Sequence, residues 1–156
     1  MIRIARLTDY GIVLLTHFAR HPERLTRNAP ELAAAAHLPL PTVSKILKIL
    51  AREGLLAAHR GAKGGFSLAR TPENITVTDI IAALEGPIAL TECNVHGSER
   101  CGIEPLCPVS TNWRRINRAV LEALSGLTLA EMASPRPALI PMLSSHGRRA
   151  EARAGS

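Results

Sequence analysis

Three cysteines, Cys93, Cys101 and Cys107, fall within fifteen positions of a 156-residue chain that has no other cysteine. Their gaps of seven and five residues lack the tight two-residue knuckle of many zinc sites, but let thiolates on a flexible loop turn toward one centre. Soft thiolates select zinc or an iron–sulfur centre over hard cations, and the spacing does not separate the two. An odd number of thiols speaks against a disulfide framework. It leaves one coordination place open, for which Glu92, His96, Glu104 and Ser110 lie within the loop and Asp9 could arrive from elsewhere in space. An iron–sulfur cluster held incompletely on an exposed loop is open to oxygen, nitric oxide or iron loss, and its assembly orders the loop. That chemistry suits a sensor. Three thiols with a redox role of their own, or with none, are the other reading.

Charge divides the chain in two. The net +6 comes from 19 Lys+Arg and 13 Asp+Glu, yet residues 1–70 carry 11 basic and 4 acidic side chains against 8 and 9 in residues 71–156. Residues 71–110 hold six acids and a single Arg, Arg100, so the cysteines sit in acidic surroundings. A basic half is the electrostatic footprint of a polyanion partner, because each neutralised phosphate releases counterions. Aromatic residues are 3% of the chain, which argues against single-strand binding on aromatic platforms and for an aliphatic, helix-built core. No apolar run approaches the roughly 18 residues of a membrane helix, and the N-terminus lacks the order of features of a signal peptide. The expectation is a cytoplasmic protein whose thiols stay reduced.

The elements that would position these residues follow from periodicity. Tyr10, Val13, Leu14 and Phe18 mark one face of a helix over 8–20. Asn28 with Glu31 resembles a capping box opening a short helix over 30–37, which Pro39 stops. A third helix begins at Pro41, with Val43, Ile46, Leu47 and Leu50 as its apolar stripe and Gly54 as its end. Two helices about a tight turn make a helix-turn-helix. Two short runs, 55–59 and 66–70, flank the basic glycine-rich turn of Arg60, Gly61, Lys63, Gly64 and Gly65, which reads as a hairpin whose glycines let the backbone approach another surface. Helix-turn-helix plus basic hairpin is a winged helix. Thr76 with Asp79 opens a fourth helix ended by Gly86-Pro87, residues 89–109 form a long loop, and a helix spans 110–125 with Trp113, Ile116, Val120, Leu121 and Leu124 on one side. A helix beyond the winged module wants a partner, expected to be its own copy. Thr128 with Glu131 starts a last short helix, and the Pro, Ser, Gly and Arg content from 134 reads as a disordered tail.

The start Leu7-Thr8-Asp9-Tyr10-Gly11, the helix from Leu40 to Leu47, the wing from Arg60 to Phe66 and the three-cysteine loop together resemble the IscR/NsrR family of bacterial winged-helix regulators. Those proteins sense iron–sulfur status or nitric oxide. Ala89-Leu90-Thr91-Glu92-Cys93 and Asn112-Trp113-Arg114-Arg115-Ile116-Asn117 look most like the branch that regulates SUF-system cluster assembly. The resemblance implies a homodimer crossing at the helix over 110–125, and an iron–sulfur cluster, 2Fe–2S or 4Fe–4S, held by Cys93, Cys101 and Cys107. It also implies a fourth ligand, Asp9 ahead of His96, since the position that holds a His in some members is Ser110 here. By the same resemblance the helix from Pro41 enters the major groove of double-stranded DNA with Thr42, Ser44 and Lys45 toward bases or phosphates and Lys48 toward phosphates. The wing Arg, Arg60, enters a narrow minor groove, and Lys63 of the wing also binds DNA.

The expectation is therefore a mostly α winged helix-turn-helix with a two-stranded wing and a long C-terminal dimerisation helix. Residues 1–70 would bind DNA, 71–109 would supply the linking helix and cysteine loop, 110–133 the dimerisation helix and a short terminal helix, and 134–156 a tail. The expected function is a non-enzymatic DNA-binding regulator, a repressor whose cluster controls cluster-assembly genes. The other readings are a nitric-oxide-sensing repressor of the same fold, a regulator with structural zinc, and a small iron–sulfur redox protein.

Overall fold

The computed structural model describes residues 3–94, 101–103 and 106–134. Six helices are present among them, α1 (Arg6–Ala19), α2 (Ala29–Ala36), α3 (Leu40–Arg52), α4 (Val77–Glu85), α5 (Ser110–Ser125) and α6 (Leu129–Ala133). A two-stranded antiparallel sheet, β1 (Leu56–His59) and β2 (Gly65–Leu68), follows α3. The fold is the mostly α winged helix-turn-helix read from the sequence.

The core is aliphatic. Leu14 and Leu15 of α1, Leu32 of α2, Val43, Ile46, Leu47 and Leu50 of α3, Ile80 of α4 and Leu129 of α6 are fully buried, with Phe18 as the aromatic contribution. The α3 stripe buries the four residues its periodicity indicates. Of the expected α1 face, Leu14 and Phe18 are buried and Tyr10 packs against the core, but Val13 is exposed, and the buried face shifts toward Leu15, Thr8 and Gly11. Gly11 is the physical reason, because a Cβ there would run into the Leu84 side chain. The missing side chain lets α4 lie against α1 along that line.

Capping chemistry sets the other starts. Thr76 and Thr128 each form a complete capping box, with Asp79 and Glu131, and the two starts are bridged by Val77 N–H to Leu127 O at 2.9 Å and Leu129 N–H to Ile75 O at 2.7 Å. This ties α6 to the base of α4. The box expected at Asn28 is only half made. Asn28 Oδ1 accepts the Glu31 N–H at 2.9 Å, but the Glu31 carboxylate is engaged by Arg24 and Arg27. α2 ends at Ala36, within one residue of the expected bound, and is capped by His37, whose φ of 53° is left-handed. Two single 3-10 turns, at Pro72–Asn74 and Glu92–Asn94, have no periodic signal in the sequence. The second places Cys93 on a defined turn within the expected loop. The tail from residue 135, His96 and Glu104 lie outside the described residues.

Candidate functional site

On α3 the residues opposite the buried stripe are Pro41, Lys45, Lys48 and Arg52, all exposed, with Thr42 and Ser44 half-buried at the flanks. Spacings of four, three and four put them in one row along the helix. The hairpin beyond it pairs Leu56 with Leu68 through His59 with Gly65, so Arg60 and Lys63 stand exposed in the turn. Gly61 has φ of 104° and Gly65 of 155°, and a Cβ on Gly64 would lie 2.5 Å from the His59 carbonyl oxygen. These glycines close the turn. The expectation that they free the backbone to approach a foreign surface is corrected at Gly65. There the surface approached is the chain itself, because Arg27 and Phe66 exchange N–H···O bonds of 2.9 and 2.8 Å. A Cβ on Gly65 would come within 2.6 Å of the Arg27 oxygen.

The charge balance becomes local once ion pairs are placed. Three of the four acids in residues 1–70 are engaged: Glu23 with His21, Glu31 with Arg24 and Arg27, and Glu53 with Arg52. Lys45, Lys48, Arg60 and Lys63 have no carboxylate partner among the described residues. The uncompensated cations of the basic half therefore include two on the outer row of α3 and two at the wing tip, the combination a polyphosphate backbone would neutralise.

Sequence reasoning missed Arg27. Its side chain is 5% exposed, donates from Nη1 to the His17 carbonyl oxygen at 2.9 Å and pairs with Glu31 at 3.1 Å. With its backbone bound to Phe66, it joins α1, α2 and the wing. Burial, with Arg27 beside it, holds His17 below the usual histidine range, and Arg20 and His21 act in the same sense.

Cys93, Cys101 and Cys107 are free thiols, each half-buried, on the connection from α4 to α5. Cys93 Sγ lies 3.1 Å from Thr91 Oγ1 and 4.0 Å from Asn94 Nδ2, and Asn94 Nδ2 donates to Thr91 Oγ1 at 2.7 Å. Buried Asn117 of α5 accepts the Leu90 N–H through Oδ1 at 3.0 Å. No three His, Cys, Asp or Glu side chains converge as a metal-holding group among the described residues, so the cysteines are not gathered and Asp9, exposed on α1, does not join them. The donor set still fits a thiophilic centre: three cysteines without a disulfide on one connection, one with a hydroxyl at hydrogen-bond distance from its sulfur. The signal for Asn117 was available, because a lone amide interrupts the row Trp113, Val120, Leu124. Among the described residues no helix is long and apolar enough to cross a membrane.

Residues 4–135 match a family model described as Rrf2, iron-dependent transcriptional regulator. The chain is 32% identical over 136 residues to protein aau3 of Rhizobium meliloti (strain 1021), covering 87% of this chain and 88% of that one. Among solved structures it is similar to CymR (YrzC), the global cysteine regulator of B. subtilis, with a TM-score of 0.66, 31% identity and coverage of 85% and 97% of the two chains. It is also similar to IscR of T. potens, with a TM-score of 0.62, 26% identity and coverage of 84% and 85%.

Proposed function

The chain belongs to the Rrf2 family of transcriptional regulators, and from that premise we propose that it is a homodimeric repressor whose grip on operator DNA follows the state of an iron–sulfur cluster. The observation that carries the DNA half is the set of four cations without carboxylate partners, Lys45, Lys48, Arg60 and Lys63. α3 enters the major groove, where Lys45, with Thr42 and Ser44, meets base edges or phosphates and Lys48 meets phosphates. The wing carries Arg60 and Lys63 to the minor groove, whose negative potential favours an inserted guanidinium.

For the sensing half, Cys93, Cys101 and Cys107 would hold the cluster and Asp9, from the partner protomer, would complete it. Exposure of Asp9 on α1 supports its being available to another protomer. When bound, the cluster supplies an oxygen- and nitric-oxide-sensitive centre. The chain's own part is to order the α4–α5 connection around it. The genes it would control are those of cluster assembly, and the cytoplasm is its place.

Anaerobic purification followed by visible absorption, iron and zinc analysis, and titration onto the promoter of the organism's own cluster-assembly genes tests this. A brown protein with iron and sulfide, whose promoter affinity differs between loaded and stripped forms, is the expected result. A colourless protein with stoichiometric zinc overturns the sensing half. Affinity for that promoter no greater than for random DNA overturns the target.

A further inference from the structure

Asn117 is the residue of α5 that the fold buries. It is 6% exposed, while Trp113 and Ile116 on the same helix are 39% and 46% exposed. Placing an amide inside and an indole outside costs free energy unless the amide is hydrogen-bonded. Its bond goes to the Leu90 N–H, 27 residues away in sequence, at the threshold of the turn that carries Cys93. Within that turn the Asn94 N–H closes on the Thr91 carbonyl at 2.9 Å, and the Asn94 amide donates to the Thr91 hydroxyl oxygen. With one lone pair of that oxygen occupied, the Thr91 hydrogen is available to the Cys93 sulfur 3.1 Å away. A thiolate there accepts it.

We propose that Asn117 and Thr91 are positioning residues for Cys93: Asn117 fixes the turn to α5, and Thr91 aims and hydrogen-bonds the sulfur. The first thiol of the loop is thereby preset on a helix, and Cys101 and Cys107 are brought to it. A change at the Cys93 sulfur then passes into α5 instead of being absorbed by the loop. The gathering of Cys101 and Cys107 and this last step rest on the proposed cluster; the positioning of Cys93 does not.

The test uses the full-length, metal-free protein and the rate at which iodoacetamide labels each cysteine, resolved by peptide mass spectrometry. Asn117→Leu removes the acceptor and Asn117→Asp restores it. Labelling of Cys93 should rise several-fold relative to Cys101 and Cys107 in Asn117→Leu, and return toward wild type in Asn117→Asp. Thr91→Val, which removes the donor that stabilises the Cys93 thiolate, should instead lower it, and Thr91→Ser should not. Unchanged ratios, or an equal rise at all three cysteines, overturn the proposal, the latter because it reports general loosening. In iron-reconstituted protein, Thr91→Val should also shift the reduction potential while Thr91→Ser leaves it in place. An unmoved potential removes Thr91 from the argument. If wild type takes up no iron, the sensing function fails while the labelling ratios still decide the positioning.

Discussion

Arg60 and Lys48 are both exposed cations without carboxylate partners among the described residues, but the proposed complex gives them different work. A guanidinium inserted into a narrow minor groove reads groove shape, so Arg60→Ala should cost about 1–3 kcal/mol on the operator and relax discrimination. Lys48→Ala should weaken all sequences alike and lower the salt slope by about one. Fluorescence anisotropy with operator and scrambled duplexes over a salt series separates the two. A base-selective loss in Lys48→Ala contradicts its assignment to phosphate. His17 supplies a different prediction. Burial and Arg27 disfavour its protonated form, so the unfolded chain binds that proton more readily than the folded one. The stabilisation is complete above the ordinary histidine value of about 6.5 and is lost as pH falls below it. Urea midpoints should decline between pH 7.5 and 5, and His17→Gln should flatten part of that decline. An identical slope in the variant removes His17 as a source.

At the scale of elements, what could be read in advance is what local pattern dictates. The α3 stripe, the Thr76 and Thr128 caps and the bounds of α5 depend on residues within two turns of one another, and all appear as the sequence indicates. What was not legible depends on partners distant in the chain. The α1 face shifted because Gly11 admits Leu84, and Glu31 left its capping box for Arg24 and Arg27. Gly65 is committed to Arg27, 38 positions earlier in the sequence. That last contact has a measurable consequence. Gly61→Ala meets open space and suffers backbone strain alone, roughly 1–3 kcal/mol. Gly65→Ala adds a Cβ 2.6 Å from the Arg27 carbonyl oxygen, which cannot move without breaking the bridge to Phe66. Denaturant unfolding should therefore show a larger loss for Gly65→Ala, with weakened operator binding as the wing detaches from α1 and α2. Equal losses at the two positions would mean that the bridge does not hold the wing.

For the whole molecule the question is what covers α5. Apart from Asn117 its residues are half-buried or exposed, and Trp113 and Ile116 lie open on a 16-residue helix. A second copy crossing at α5 would bury them, place two α3 helices for two half-sites and bring a partner's Asp9 toward the cysteine loop. Affinity for a two-half-site operator then contains an intramolecular second binding event, which strengthens binding by about 10²–10⁴ over one half-site without any new contact to DNA. Ile116→Glu puts a charge into that interface and leaves the protomer's own core, from which Ile116 is absent, untouched. Sedimentation should shift from dimer to monomer, thermal unfolding should remain cooperative, and operator affinity should fall by two or more orders of magnitude while single half-site affinity holds. A variant that sediments as wild type and binds the full operator equally well would move the dimer interface away from α5, and with it the route by which the Cys93 turn, anchored there through Asn117, could reach DNA.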